Sequence, residues 1–308
     1  MTTINHIREG QAPPLVARRV RSSRAPYALI FPAALLVAVF LVYPVAKVVH
    51  SSFRQENVLK PFDDGFIGLA NYSAILRDDL FWSSLAFSAK WVGTEVGLQL
   101  VFGLCLGLIV NEAFRGRGLA RALLFSPWAV AGILTTTIWI LIYNPTTGIT
   151  RYLADMGIGS YGTSLLSSSS GAFWAAVLAE MWKGIPFFAI MILADLQSVP
   201  GELYEAAKVD GAGRIRRFWS ITLPHIKRAL LIATLLRGIW EFNNVDLLLT
   251  LTGGGPANAT TTLPLYVAQT ALETKEFGYG SALTMVAFLI LFIVCVLYLK
   301  LTKMGDDE

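Results

Sequence analysis

The sequence is poor in the residues that build catalytic, metal and disulfide sites. Its 308 residues include only two cysteines, Cys105 and Cys295, and three histidines, so neither a disulfide framework nor a metal cluster is indicated. His6, His50 and His225 are far apart and have no triad or metal-ligand spacing. Charged residues make up 15% of the chain, against about 25% in an average soluble protein. These shortages argue against a soluble enzyme, and we expect no catalytic residues.

A nucleotide-binding loop is also missing from the sequence. No G-x-x-x-x-G-K-[ST] pattern occurs, and this is the pattern that cradles the phosphates of ATP in P-loop proteins. The fragment Gly211-Ala-Gly213 follows no predicted strand, so we interpret it as a turn and not as part of a dinucleotide fingerprint. We therefore expect this chain to bind no metal, ATP or other cofactor.

Long apolar segments are what the sequence has in abundance. Hydrophobic residues account for 55% of the chain, and a transmembrane helix needs about 20 mostly apolar residues. Six segments fit this description, and we predict an all-α integral membrane protein with six transmembrane helices in a domain covering residues 27–299. The predicted spans are residues 27–46, 85–110, 122–143, 172–194, 229–250 and 280–299.

Two of these spans contain residues that shape our expectations of them. The second span carries Lys90, Glu95 and Gln99, and we expect it to lie inside the bundle because polar groups that face lipid are costly. Its glycines allow close approach of a neighbouring helix. The fourth span contains Gly184 and Pro186, and we expect it to be broken there because proline interrupts helical hydrogen bonding.

The basic residues are distributed unevenly between the segments that connect the spans. Most of the 25 Lys and Arg residues lie in residues 1–26, 111–121, 195–228 and 300–308. Positive charge favours the cytoplasmic side of a membrane, so we expect a multi-pass protein of the cell membrane with a cytoplasmic tail (1–26), a cytoplasmic C-terminus (300–308) and a cytoplasmic loop (195–228). The preference of basic residues for the cytoplasmic side of the lipid bilayer accounts for the net charge of +4. A nucleic-acid partner is not needed to explain this charge.

Residues 205–224 form the longest charged stretch between two spans, and we call them the EAA segment. We predict a first helix that Ser198 caps and that ends at Gly211, because glycine readily takes the left-handed conformation of a helix C-terminus. A second helix follows, and we expect Pro224 to end it. Two short helices joined by a tight turn make a rigid knob that suits a groove on a partner protein.

This segment resembles the EAA loop of ABC importer permeases, whose pattern is Glu-Ala-Ala, three residues, Gly, nine residues and Ile-x-Leu-Pro. Every position of the pattern is filled here, and Asp210, Ala212 and Phe218 match the fuller version typical of the carbohydrate permease branch. The stretches Phe66–Tyr72 and Leu251–Pro256 are also similar to sequences found in sugar permeases.

The resemblance implies a permease subunit that is not itself an enzyme. Its implied partners are a second permease subunit, usually a different chain in the sugar branch, two cytoplasmic ATPases that bind ATP and magnesium, and an extracytoplasmic solute-binding protein. The implied substrate is a sugar or oligosaccharide. The EAA segment would contact an ATPase, and the coupling residues we predict are Glu205, Ala206, Ala207, Asp210, Gly211, Phe218, Trp219, Ile221, Leu223 and Pro224.

Ionisable residues in the fourth and fifth spans recur at helical spacing, so that each span presents them on one face. Charged residues within spans are candidates for function, and two such faces with an aromatic ring would suit a neutral polyol. The resemblance also places corresponding positions along the translocation path. The substrate-path residues we predict are Glu180, Lys183, Gly184, Phe187, Arg237, Glu241 and Asn244.

Other interpretations of these charges remain open. Lys183, Arg237 and Glu241 supply more charge than a plain sugar site needs, which allows a phosphorylated polyol such as glycerol phosphate as substrate. The charges could also pair within their helices or with a partner subunit and only satisfy one another. A secondary transporter would use Glu95, Glu180 and Glu241 as an ion or proton relay and would not need the EAA segment.

Overall fold

The computed structural model describes residues 25–157, 162 and 164–302. Residues 1–24 of the predicted tail (1–26) and residues 303–308 of the predicted C-terminal segment (300–308) therefore lie outside the described residues. The chain divides into two compact units, Met1–Lys47 and Val48–Glu308. The first contains helix α1 (Ala25–Val37), a π-helical turn (Ala38–Val42) and the start of α2 (Tyr43–Ser52). The helical segment Leu29–Ser52 is long and apolar enough to cross a membrane and overlaps the predicted first span.

Near its start, the second unit contains a two-stranded β-ribbon, which the all-α prediction did not include. Strand β1 (Arg54–Gln55) pairs antiparallel with β2 (Gly65–Phe66), and helix α3 (Ala70–Leu76) follows. The buried Asn71 side chain donates hydrogen bonds to the backbone oxygens of Ser52 at 3.0 Å and Arg54 at 2.9 Å. The Phe66–Tyr72 stretch thus ties the ribbon to the end of α2.

Two long helices form the centre of the second unit. Helix α4 (Asp79–Asn111) is capped by Asp78 and helix α8 (Ser169–Leu196) by Ser168, whose side chains accept hydrogen bonds from the first-turn amides. Gly103 brings the two helices together, because a Cβ at this position would lie 2.4 Å from Cβ of Phe188. This close packing fits the expectation that the second span lies inside the bundle.

Helix α8 is continuous, which corrects the predicted break at Gly184 and Pro186. Both residues are buried, so the packing of α8 against its neighbours outweighs the one hydrogen bond that a proline removes. The absence of a side chain at Gly184 instead makes room for Gln99 and Arg237.

The third predicted span, 122–143, is two helices and not one. Helix α5 (Arg117–Ala129) and helix α6 (Gly132–Ile142) differ in direction by 96°. The chain between them is extended at Val130 and Ala131, just after Pro127, which donates no backbone hydrogen bond in the last turn of α5. The short helix α7 (Ile149–Asp155) follows.

The fifth predicted span, 229–250, is likewise divided. Helix α11 (Leu223–Phe242) ends before Asn243, and α12 (Asp246–Leu251) begins three residues later. The Asn243 side chain donates to the backbone oxygen of Ile239 at 2.8 Å, as asparagine often does at helix ends. Among the described helices, four qualify by themselves as membrane spans and the bent α5–α6 pair makes a fifth, so a sixth apolar span is not found where we predicted it.

The chain ends in helices α13 (Leu263–Leu272) and α14 (Phe277–Leu301). The stretch Leu251–Pro256, which resembles sugar permeases, begins at the last residue of α12 and continues into the loop before α13, and α14 covers the predicted span 280–299. Tyr266 on α13 and Tyr279 on α14 both donate hydrogen bonds to the Asp78 carboxylate, at 2.6 and 2.7 Å. Asp78 therefore joins the start of α4 to both C-terminal helices.

Candidate functional site

A buried polar network joins helices α4, α8 and α11. At its centre is Arg237, which is 6% exposed. One guanidinium nitrogen, Nη2, lies 2.7 Å from Glu180 Oε1 and 2.5 Å from Glu241 Oε1. Its Nε donates to Gln99 Oε1 at 2.7 Å. One side chain of α11 thus contacts polar groups on both central helices.

Helix α4 supplies two members of the network, Glu95 and Gln99. Gln99 Nε2 donates to Glu95 Oε2 at 2.8 Å and to Glu241 Oε1 at 3.3 Å. Within the described part of the chain, Glu95 Oε1 and Glu241 Oε2 are buried without a hydrogen-bond partner. The sequence predicts Glu95 and Gln99 inside the bundle but not among the substrate-path residues. Their spacing of four residues on one helix face was the available signal.

Gly184 makes room for this network. A Cβ at Gly184 would lie 2.4 Å from Gln99 Cδ and 2.5 Å from Arg237 Nη2. Because atoms do not approach this closely without bonding, any larger residue would displace one of the two side chains. The glycine therefore lets Arg237 reach the surface of α8, and this role differs from the helix break that we expected.

The network contains more acid than base. The network has three carboxyl groups, of which Glu180 and Glu241 pair with the single guanidinium group, and the Asn244 side chain lies beside Glu180. Lys183 is half-buried and forms no ion pair with Glu180 in the described structure. The network contains no hydroxyl or thiol nucleophile. It can hold three helices together, and the unpartnered carboxyl oxygens of Glu95 and Glu241 are able to accept hydrogen bonds.

The predicted substrate-path residues are thus only partly brought together. Two of them, Lys183 and Phe187, lie outside the network. The Phe187 ring is 8% exposed and packs against Trp240, with 5.1 Å between the ring centroids. The five that the structure gathers are Glu180, Gly184, Arg237, Glu241 and Asn244.

The EAA segment has the predicted turn but different helix ends. Helix α9 (Gly201–Val209) precedes Gly211, whose φ of 75° is in the left-handed region. Pro200 occupies the N-cap position of α9. Ser198, our predicted cap, instead donates to the backbone oxygen of Asp195 at 2.7 Å. The Ser198 hydroxyl therefore binds the end of the preceding helix, α8, and does not cap α9.

The second helix of the EAA segment does not end at Pro224. Helix α10 (Arg214–Arg217) continues through a π-helical turn (Phe218–Thr222) into α11. Pro224 lies in the first turn of α11, where no intrahelical partner for its missing N–H is needed. The segment is therefore joined to α11 without a flexible break.

The surface of the EAA segment is largely exposed. The Tyr204 hydroxyl lies 2.9 Å from Thr222 Oγ1 and fastens α9 to the π-helical turn. Trp219 remains 63% exposed. The predicted coupling residues that are exposed are Glu205, Ala206, Asp210, Gly211, Trp219 and Pro224. Those that are half-buried are Ala207, Phe218, Ile221 and Leu223.

Residues 99–301 match the family model described as binding-protein-dependent transport system inner membrane component. The chain belongs to this family. The match includes the EAA segment and confirms that the resemblance to ABC importer permeases was correct. The permease is thus a multi-pass membrane protein of a family of transport subunits. The matched residues include all of the polar network except Glu95.

Several curated relatives cover nearly the whole permease. The trehalose/maltose transport system permease protein MalF of Thermococcus litoralis is 35% identical over 94% of this chain and 97% of the relative. The sulfoquinovosyl glycerol transport system permease protein SmoG of Agrobacterium fabrum is 36% identical over 90% of each chain. The sn-glycerol-3-phosphate transport system permease protein UgpA of Yersinia enterocolitica is 32% identical over 90% of this chain and 94% of that protein.

The fold is similar to that of a solved transporter. A chain of a bacterial alginate ABC transporter, crystallised with an alginate pentasaccharide-bound periplasmic protein, superposes with a TM-score of 0.80. It is 18% identical, and the match covers 92% of this permease and 96% of that chain. At this level of identity the likeness shows a shared permease fold.

Proposed function

We propose that this permease is a membrane subunit of an ATP-driven importer that carries a neutral sugar or oligosaccharide. Its proposed partners are a second, different permease subunit, two ATPases and an extracytoplasmic solute-binding protein. The termini and the EAA segment lie on the cytoplasmic side in this proposal, which the distribution of Lys and Arg supports. ATP and magnesium are bound by the ATPases and not by this chain.

The pairing of Arg237 is the main evidence for a neutral substrate. Its guanidinium group is already occupied by Glu180, Glu241 and Gln99. An anionic substrate would have to displace a buried carboxylate from it, which is costly. The unpartnered oxygens of Glu95 and Glu241 would instead accept hydrogen bonds from sugar hydroxyls. Excess acid thus favours a neutral, hydroxyl-rich ligand.

The EAA segment is suited to transmit motion to these side chains. It follows α8, which carries Glu180, and runs without a break into α11, which carries Arg237. Movement of the segment by an ATPase would shift α8 and α11 relative to α4. The contacts of Arg237 would then rearrange, and the carboxyl oxygens would be exposed to the substrate on one side of the membrane at a time.

The assembled transporter provides the direct test. The permease is reconstituted in vesicles with its partner permease, ATPases and binding protein. Uptake of trehalose, maltose and glycerol 3-phosphate is then measured with and without ATP on the side of the membrane where the ATPases lie. We expect ATP-dependent uptake of a neutral sugar. Uptake of glycerol 3-phosphate alone would contradict the proposed substrate class.

Glu241→Ala tests whether the network lies on the substrate path. We expect it to lower ATP-dependent uptake while the complex still assembles, because Arg237 keeps its contact with Glu180. Glu273→Gln, an exposed carboxylate outside the network, is the matched control and should leave uptake unchanged. If Glu241→Ala leaves the uptake kinetics unaltered, Glu241 does not belong to the path.

An anionic polyol is the second candidate substrate. It is favoured by the names of the relatives that transport sulfoquinovosyl glycerol and glycerol 3-phosphate and by Lys183, a half-buried cation without an ion pair in the described structure. Lys183→Gln separates the two candidates. Transport of a neutral sugar should persist in this variant, whereas transport of an anion should fall.

A proton relay through Glu95, Glu180 and Glu241 is the remaining alternative. It predicts uptake that is driven by a proton gradient and needs no ATPase subunit. Uptake into vesicles that carry a pH gradient but no ATP distinguishes it from the importer, for which we expect no accumulation.

A further inference from the structure

A cavity of about 730 Å³ lies between the EAA segment and the end of helix α4. Leu108, Asn111 and Glu112 line it from α4 and the residue that follows. The opposite wall consists of side chains from α9, α10 and the π-helical turn. It is separate from the polar network, whose members are absent from its lining.

Three cations line this cavity, Lys208, Arg214 and Arg217. None of them has a hydrogen bond or ion pair from its side chain to any described residue. Glu112 is the one carboxylate in the lining, and it is not paired with any of them in the described structure. The lining therefore carries two more positive than negative charges.

Arg217 supplies the most specific hydrogen-bond donor in this cavity. Its Nε is buried and has no acceptor among the described residues. A buried donor without an acceptor lowers stability, and a guanidinium group is well shaped to bind phosphate oxygens. The position of this donor in a cation-lined cavity points to a phosphate-bearing anion.

The same cavity has an apolar and aromatic side. Leu108, Ile215, Phe218 and Trp219 line it, and both Ile215 and Trp219 are exposed. Tryptophan is enriched where a membrane meets water, and α4 and α8, which end beside this cavity, are candidate membrane spans. Cations next to exposed apolar groups at a helix end suit a ligand with both a phosphate and acyl chains.

We propose that this cavity binds the headgroup of an anionic phospholipid. The phosphate contacts Arg217, with Lys208 and Arg214 beside it, and the acyl chains extend along Leu108 and Ile215. Bound in this way, the lipid contacts both the EAA segment and the end of α4.

The test measures lipid retention by the whole transporter complex. Complexes are purified from vesicles of equal parts phosphatidylcholine and phosphatidylglycerol, and retained phosphatidylglycerol is counted by native mass spectrometry, with affinity from titration of its short-chain form. We expect Arg217→Gln, and the double variant Lys208→Gln with Arg214→Gln, to weaken binding about tenfold, as loss of a charge-assisted hydrogen bond does.

Arg216→Gln is the matched control, because Arg216 is on the same short helix but does not line the cavity. It removes the same charge and should change phosphatidylglycerol affinity less than twofold. Arg217→Lys keeps the charge and should retain part of the affinity. Equal weakening by Arg216→Gln would overturn the proposal, since it would indicate a diffuse attraction to basic surface.

Two further outcomes would also overturn it. If inorganic phosphate or glycerol phosphate competes as well as short-chain phosphatidylglycerol, the cavity is a site for a soluble anion and not for a lipid. If the cavity variants lose the ATPase subunits from the complex and leave phosphatidylglycerol retention unchanged, the three cations belong to a protein interface.

Discussion

The polar network and the EAA segment both concentrate charge, but in opposite surroundings. In the network, Arg237 is 6% exposed and contacts two carboxylates and an amide. In the EAA segment, Arg214 and Arg216 are exposed and form no ion pair with any described residue. The basic group of the network is paired within this chain, whereas the basic groups of the EAA segment are exposed and available to a binding partner.

The difference follows from the cost of burying charge. A buried guanidinium group without partners is too unfavourable to persist, so Arg237 is found where three helices supply acceptors. An exposed arginine is solvated and needs no partner for folding. Charges in the network therefore determine how α4, α8 and α11 pack, and charges in the EAA segment are available for binding.

Removing Arg237 is expected to have the largest effect. Arg237→Met would leave Glu180 and Glu241 buried without a cation, and loss of one partner from a buried pair costs about 3–5 kcal/mol. We expect a large fall in the denaturation midpoint of the purified complex. Arg216→Met in the EAA segment should change it little, since a surface substitution typically shifts stability by about 0.5 kcal/mol or less. Equal midpoints for the two variants would show that Arg237 contributes no more to stability than an exposed arginine.

Filling the space at Gly184 should have the next largest effect. A Cβ there overlaps Gln99 and Arg237, and overpacking a buried site costs about 1–3 kcal/mol. Gly184→Ala is compared with Gly213→Ala in the EAA segment, where nothing lies within 4 Å of an added Cβ. Thermal unfolding should be altered by the first substitution only. A Gly184→Ala complex as stable as the parent would show that the network adapts.

Gly211→Val tests the rigidity of the EAA segment. A β-branched residue at φ 75° is strained by about 1–2 kcal/mol, so we expect the turn to shift and ATP hydrolysis to be uncoupled from uptake. The measurement is ATP hydrolysed per substrate transported by reconstituted complexes. Gly213→Val is the control, because Gly213 has φ −67°. Retained coupling in Gly211→Val would count against a rigid segment.

Asp78 lies between the two extremes, since it is half-buried and well hydrogen-bonded. Burial by itself would raise its pKa, but hydrogen bonds from Tyr266, Tyr279 and two backbone amides hold the pKa below its usual value. The stabilisation that follows is present above the unfolded pKa of about 4 and is lost as pH falls through the lower folded pKa.

Asp78→Asn should therefore have the smallest effect of the series. We expect it to lower the free energy of unfolding near pH 7 by about 1 kcal/mol and to reduce the loss of stability between about pH 5 and more acidic conditions. Unfolding midpoints measured across this range provide the test. The neighbouring Asp79→Asn is the control, because Asp79 is exposed. Parallel pH curves for parent and Asp78→Asn would contradict the assignment.

Sequence patterns predicted the main features of both regions to different degrees. The spacing from Glu205 to Pro224 identified the EAA segment, because helix and turn propensities act over a few residues. Helical spacing also placed Arg237 and Glu241 on one face of α11. The same reasoning predicted a break at Gly184, since the demand for space there comes from Gln99, a residue on another helix.

The bend at Val130 and the helix break after Phe242 were also missed. A long apolar run is sufficient to predict membrane insertion, but its direction depends on which neighbours it packs against. The predictions of a single helix over 122–143 and over 229–250 were therefore wrong, since each range is divided between two helices. Pro127 and Asn243 were local signals of these ends, yet neither residue type ends a helix in every context.

The sequence by itself determined that this is a helical membrane permease with an EAA segment, because apolar length and short-range motifs are local properties. Only the tertiary structure decided that Arg237 joins Glu180 to Gln99 and that the EAA segment leaves a cation-lined cavity beside α4. These contacts connect residues far apart in the chain, and burial makes their partners obligatory only after the helices have come together.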